Sequence, residues 1–271
     1  MPSWHSFSTQ LDGPVLNVDR LRENLELLAP DIAKSLQEHG YFTIDDPTKL
    51  MHSDLGVSKE ILNTLRSQAV ALREEGRYEQ SWSEAIDAAG TATRFDKPGV
   101  FACEPDGADY DTAPDLISYM ATLITGLPPA LNEHLDPDTA CISNASFNAK
   151  LAVTEASSEY PLHVDNPKGV AGQDFRKLTC ILYLNPDYEQ ESDKGELRLQ
   201  LLNQKVVDLA PSLGRWLLFW TDEIPHKVLP TGPTAAERYA LTIWLADEDP
   251  VSHIHNPRSK FADLRIHAFE N

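Results

Sequence analysis

A histidine and an aspartate stand two residues apart in His163-Val164-Asp165. In an extended strand such residues project to the same side, so an imidazole and a carboxylate would be presented together. That is part of the 2-His-1-carboxylate facial triad, a donor set that suits non-heme Fe(II) and leaves coordination positions open. The third donor must come from elsewhere in the fold, and His226, at the start of the β-prone stretch His226-Lys227-Val228, is the candidate. A lone His-x-Asp is common by chance, but Arg238, farther along, adds weight to this one. It begins the run Arg238–Leu245, where Arg238, Ala240, Thr242 and Trp244 share one face and Tyr239, Leu241, Ile243 and Leu245 share the other. A guanidinium aimed into a barrel is an uncompensated charge unless an anion meets it. A carboxylate matches its planar fork. The carboxylate of 2-oxoglutarate would meet Arg238 while the keto-acid end reaches the iron. The alternative partner is a local acid, Glu237 or Asp222.

These residues need a scaffold. The chain has 271 residues and 41% hydrophobic content, enough for one large domain or one domain with an extension. Its net charge of −19 argues against nucleic acid as a partner. Apolar runs such as Trp216–Trp220 are too short to span a bilayer, and the first residues, Met1–Gln10, lack a signal-peptide pattern. A cytoplasmic or nuclear location is expected. The scattered Cys103, Cys141 and Cys180 suggest free, buried thiols.

Leucine spacing predicts a helix over 18–39 that Pro30 divides, or where Pro30 starts a second helix, with Gly40 at the end. A short strand, Tyr41–Ile44, follows, closed by Asp45-Asp46-Pro47. A second helix starts after the N-cap Ser58, and a third covers Asp115–Thr125 and stops at Gly126. Residues 76–112 read as a long loop with short strands that carries substrate contacts. From about residue 147 the pattern turns to strands: Lys177–Leu184, a hairpin of Glu196–Leu202 and Lys205–Leu209 around Asn203-Gln204, Arg215–Trp220 and Arg238–Leu245. The expected class is α+β, a jelly roll (double-stranded β-helix) with N-terminal helices on one sheet. Residues 1–135 form the helical and substrate-loop region, 136–248 the core and 249–271 a tail. The tail holds His253, His255 and His267, either a weak metal motif or a solvated or docking segment.

The segments HVDNP (163–167), LTCILYLNPDYE (178–189), GELRL (195–199), LLFWTDEIPHKVLP (217–230) and RYALTIW (238–244) together resemble the 2-oxoglutarate- and iron-dependent dioxygenases. Within that family the chain looks like the prolyl 4-hydroxylases of the intracellular prolyl-hydroxylase-domain type. The resemblance runs from about residue 140 to 248. It implies that His163, Asp165 and His226 bind Fe(II), and that Arg238 pairs with 2-oxoglutarate with support from the Tyr183 hydroxyl. It also implies that Thr242 and Trp244 line the co-substrate side. An ordinary core tyrosine is the other reading of Tyr183. O2 would be the second co-substrate and ascorbate the reductant. A carboxylate at 165 disfavours the halogenase variant of this chemistry.

A weaker echo at Arg94-Phe95-Asp96-Lys97 marks Arg94 and Asp96, together with Tyr160, as substrate-side residues. The chain departs from the family before HVDNP, where Val153 stands in place of a pocket tyrosine. The expected activity is hydroxylation of prolyl residues in an intracellular protein or peptide. Two alternatives are the same chemistry on a small molecule such as a free amino acid, and a non-catalytic metal-binding β-barrel module.

Overall fold

The computed structural model describes residues 14–44, 55–86, 92–256 and 258–267. Met1–Gln10 and the turn expected at Asp45-Asp46-Pro47 lie outside them.

Three helices form one layer. In α1 (Val18–His39), Asn17 accepts from the Arg20 amide at one end and Gly40, at φ 82°, closes the other. Leu21, Leu25, Ala29, Ile32, Ala33 and Leu36 make a buried stripe. Pro30 does not divide this helix. It sits on the exposed face, and Glu26, whose carbonyl loses its partner, is exposed too, so water serves that carbonyl. Pro30→Ala is therefore expected to stabilise the fold by about 1–3 kcal/mol, since proline is some ~3 kcal/mol poorer than alanine inside a helix. A rise in the urea midpoint at unchanged m-value checks it.

In α2 (Lys59–Glu74), the Ser58 hydroxyl accepts from the Ile61 amide, as expected of the N-cap. The third helix, α3 (Pro114–Asn132), runs through Gly126 instead of stopping there. A Cβ at Gly126 would lie 3.6 Å from Arg22 Cγ and Leu25 Cδ1, so this glycine sits at the close approach of α1 rather than at a helix end.

The strands are β1 (Tyr41–Thr43), β2 (Glu79–Ile86), β3 (Ala92–Cys103), β4 (Ile142–Thr154), β5 (Tyr160–His163), β6 (Arg176–Tyr183), β7 (Leu197–Gln200), β8 (Val206–Leu209), β9 (Trp216–Trp220), β10 (His226–Val228) and β11 (Arg238–Asp247). A 7-stranded sheet has the order β1-β9-β6-β11-β4-β3-β2, and a 4-stranded sheet the order β5-β10-β7-β8. Residues from both sheets line one internal cavity, which is the jelly roll expected from the sequence. Helices α1 and α3 pack on the outer face of the larger sheet. One hydrophobic core joins Leu25, Leu36 and Leu123 to Leu151, Leu182 and Leu241. The Trp220 indole donates to the Leu36 carbonyl at 3.0 Å, tying β9 to α1.

Two loop expectations fare differently. The turn between β7 and β8 forms at 202–204, with Asn203 at φ 59° and Gln204 at φ 60°. Residues 76–112, expected as a long loop with short strands, contain instead the long hairpin β2–β3, which extends the larger sheet. The mixture of Gly, Pro and Asp hid it: Pro98 and Gly99 mark a break within β3, not its end.

The tail is docked. Lys177 Nζ lies 3.1 Å from Asp222 Oδ1, and both side chains are almost fully buried. The His255 amide donates to Asp222 at 3.0 Å, and His253 pairs with Asp247 at 2.9 Å. Phe261 is buried. Cys103 and Cys180 are buried free thiols, whereas Cys141 is only half-buried. Among the described residues, no helix is long and apolar enough to cross a membrane.

Candidate metal centre and anion pocket

His163 ends β5 and His226 begins β10, and the two are direct partners across the ladder. Their rings lie 4.2 Å apart. Asp165 follows two residues after His163. Its Oδ1 is 3.3 Å from His163 Nε2 and 3.6 Å from His226 Nε2. Among the described residues these three are the only group of potential ligands that converges, with donor atoms within 4.8 Å of one another.

The tautomers follow from the next layer of contacts. His163 Nδ1 lies 3.0 Å from the Pro161 carbonyl and His226 Nδ1 lies 3.0 Å from that of Ile224. A carbonyl only accepts, so each Nδ1 carries the proton and each Nε2 keeps a lone pair facing the centre. Asp165 Oδ2 accepts from the Trp244 indole at 2.9 Å and the Thr179 hydroxyl at 3.2 Å, which leaves Oδ1 for the centre. Thr179 is held in turn by Thr221 at 2.8 Å. Burial alone would push the Asp165 carboxyl up, but His226 and His163 hold it well below the usual carboxylate range. Two imidazole lone pairs and one carboxylate oxygen form a donor set for a divalent transition metal, and the two-histidine, one-carboxylate mixture is the set that suits Fe(II).

The centre opens into a cavity of about 640 Å³. Strand parity places its other groups as the sequence suggests: Arg238, Ala240, Thr242 and Trp244 line it, as do Ile181 and Tyr183, while Tyr239 and Leu241 face the helices. Neither local acid takes Arg238. Glu237 pairs with Arg73, and Asp222 with Lys177. Arg238 lies over the Tyr183 ring, 4.9 Å from its centroid. The Tyr183 hydroxyl and Arg238 Nε are both buried without a hydrogen-bond partner. Orphaned buried donors are costly. Two of them on one cavity wall fit a dicarboxylate whose far end they would hold.

The remaining sequence candidates separate. Tyr160 lines the cavity and packs edge-on against His163 at 4.3 Å. Arg94 and Asp96 do not line it; their side chains are 58% and 67% exposed and lie 3.5 Å from each other. Trp244 bonds to a ligand carboxylate in addition to lining the cavity. Val153 is fully buried and lies opposite Tyr239, on the helix-facing side, so it is not the pocket position expected of it. On β4 the cavity faces Lys150, Ala152 and Thr154 instead.

Sequence reasoning missed Lys97, Lys150, Thr179 and Arg176. Arg176 Nη2 donates to the Asp165 carbonyl at 2.7 Å, its other guanidinium hydrogen bonds go to Asp174, and it lies 5.2 Å from the centroid of the Trp244 ring. For Thr179 a signal existed, since it shares a strand face with Ile181 and Tyr183.

Comparison with known proteins agrees with this geometry. Residues 149–246 match the model of the 2OG-Fe(II) oxygenase superfamily. Over 92 residues, 33% of this chain, the sequence is 41% identical to Egl nine homolog 1 of Rattus norvegicus, and the match covers 25% of that protein. The chain thus spans about a quarter of that curated relative. A prolyl hydroxylase from Trichoplax adhaerens, solved with a hypoxia-inducible factor oxygen degradation domain peptide fragment, superposes with a TM-score of 0.64 at 24% identity, over 87% of this chain and 96% of its own. A prolyl 4-hydroxylase from Phytophthora capsici gives 0.65 at 26% identity, over 90% of this chain and 70% of its own.

Proposed function

We propose that this chain, which resembles the 2OG-Fe(II) oxygenase superfamily over residues 149–246 and prolyl hydroxylases in sequence and fold, is an Fe(II)- and 2-oxoglutarate-dependent prolyl 4-hydroxylase acting on a protein of the cytoplasm or nucleus. The observation that carries the reading is the pairing of a two-histidine, one-carboxylate centre with the orphaned Tyr183 and Arg238 donors in one cavity.

In this mechanism His163, Asp165 and His226 hold the iron, and Tyr183 and Arg238 hold the far carboxylate of 2-oxoglutarate. Iron held there would supply O2 chemistry, with one oxygen atom going to 2-oxoglutarate as it yields succinate and CO2 and the other to a prolyl C–H bond as hydroxyl. The chain's own contribution is position. Trp244 and Thr179 hold Asp165 so that one oxygen faces the centre, and Trp244, Ile181 and Thr242 wall the reacting space. Tyr160, packed on His163 and lining the cavity, would meet the substrate. Ascorbate would keep the iron ferrous between turnovers.

Purified protein given Fe(II), 2-oxoglutarate, ascorbate and prolyl peptides is expected to release succinate and add 16 mass units to the proline. Turnover of free proline with no peptide turnover would move the reading to a small-molecule hydroxylase. Failure to bind 2-oxoglutarate at all would overturn it.

A further inference from the structure

Besides the two histidines of the centre, the cavity wall carries four basic side chains, and two have their anion accounted for. Arg176 is paired bidentately with Asp174. Arg238 stands with Tyr183 at the 2-oxoglutarate end. Of the two acids on the cavity wall, Asp165 is committed to the metal and to its Trp244 and Thr179 donors, and Glu159 is exposed at the rim with no ion pair to either lysine. Lys97 and Lys150 remain.

Both lysines are half-buried and both line the cavity. Lys97 Nζ donates to the Tyr160 hydroxyl at 2.9 Å and lies 4.0 Å from the centroid of that ring. Lys150 Nζ donates to the Ser81 hydroxyl at 3.0 Å. Those partners are neutral, and an ammonium has three donors. Among the described residues, no carboxylate reaches either of them within ion-pair distance. Burial, and after it the charge of Lys97, depress Lys150, while the carboxylates of Glu104 and Asp165 only partly offset them from beyond ion-pair distance. A pair of like charges on a low-dielectric wall is unfavourable unless an anion joins them.

The backbone builds this arrangement. Between Gln80 and Trp82 the β2–β3 ladder shifts register, opposite Lys97-Pro98-Gly99. Gly99 has φ 68°, and a Cβ there would come within 2.2 Å of Ser158 Oγ. The Gln80 side-chain amide catches the carbonyls of Lys97 and Val100. Such a bulge re-aims a side chain beside a site. Here it turns Lys97 inward while Arg94 and Asp96 stay in solvent. Lys150 lies opposite Thr242 on β4, away from Thr154, which lies opposite Arg238. Lys97 meets the Tyr160 that packs on His163, and Lys150 faces the cavity from the strand beside Thr242, so both lysines border the space next to the centre.

We propose that Lys97 and Lys150 form a carboxylate subsite that selects prime substrates with an acidic group beside the hydroxylated prolyl ring. This rests on the prolyl hydroxylase reading and names the substrate feature within it. The shared chemistry is a carboxylate, supplied by an Asp or Glu side chain flanking the proline or by the α-carboxylate of free proline. The peptide source is the one proposed, because Lys97 and Val100 of the β2–β3 hairpin line the cavity while Arg94 and Asp96 of the same hairpin stand in solvent, where a longer substrate chain could meet them.

The test separates the subsite from the activity. Protein loaded with Fe(II) and 2-oxoglutarate without oxygen is titrated by calorimetry with amidated prolyl peptides carrying Asp or Asn at each neighbouring position, and with free proline and prolinamide. At one position or more the Asp peptide is expected to bind about tenfold tighter or better, the scale of one charge-assisted hydrogen bond. Lys97→Met with Lys150→Met should erase the preference while 2-oxoglutarate affinity stays, and Lys150→Glu should shift it toward Lys-bearing peptides. Equal binding of Asp and Asn peptides by the unaltered protein overturns the subsite, and so does a preference that survives the double variant. A preference for free proline over prolinamide with no Asp–Asn difference assigns the carboxylate to the small molecule and overturns the peptide form. Binding preference without any turnover in air would leave the subsite standing and sink the prolyl hydroxylase reading instead.

Discussion

Asp165→Ala is expected to abolish iron-dependent turnover, with at least about a hundredfold loss of succinate release, because removing even a supporting group of a metal site costs about 10–100-fold. The reasons lie in the contacts. Oδ1 stands between the two Nε2 atoms, and no other carboxylate converges there among the described residues. The two imidazoles would remain as a bidentate pair too weak to retain Fe(II) against chelators. Trp244 Nε1 and the Thr179 hydroxyl would lose their acceptor, but both border a cavity into which water can follow. The fold should therefore persist while iron content falls. Iron analysis after dialysis and succinate release, measured on the same sample with an intact circular dichroism spectrum, check this. A variant that keeps iron and full turnover would remove the centre from the mechanism.

Arg238→Ala should produce a different signature. Truncating one partner of a buried, hydrogen-bonded charge pair costs about 2–5 kcal/mol, so the KM for 2-oxoglutarate should rise about thirtyfold or more. Iron affinity should stay nearly unchanged, since Arg238 touches no metal ligand. Arg238→Lys should recover only part of the loss, because an ammonium keeps the charge but not the planar fork. Tyr183→Phe removes a single neutral donor and should cost about 1 kcal/mol, roughly a fivefold rise in KM. Equal loss of iron and 2-oxoglutarate affinity in Arg238→Ala would contradict its assignment. Glu237 and Asp222, the acids that the sequence offered it as partners, are engaged by Arg73 and Lys177.

Strand parity carried much of the site. In Arg238–Leu245, alternation alone separates the residues that line the cavity from those under the helices, and Thr179, Ile181 and Tyr183 behave alike. The pairing of His163 with His226 was open to inference but not to derivation, because their contact depends on which strands become neighbours. Lysines in strands read as solvent-facing, and Lys150 does so until a second sheet closes over its face. Lys97 was hidden by the same Pro-Gly that aims it, since those residues suggest a loop end. Val153 misled because its place was counted along the sequence, and a one-residue offset on a strand turns a side chain to the opposite face. Pro30 and Gly126 misled because both are helix breakers by intrinsic preference, yet one is spared by solvent and the other by the proximity of α1.

One feature of the smaller sheet reaches beyond chemistry. The strand that carries His163 is only four residues long and lies at a sheet edge, and its ladder with the strand of His226 is irregular between His226 and Val228. Few backbone bonds hold it, and a slip of one residue would turn its histidine outward. An ion gripped by both imidazoles acts as a rivet across that weak seam. It fixes the alignment of the edge and adds its own binding energy to the folding of the sheet. Cofactor supply in the cell would then govern how long the protein survives as well as how fast it works.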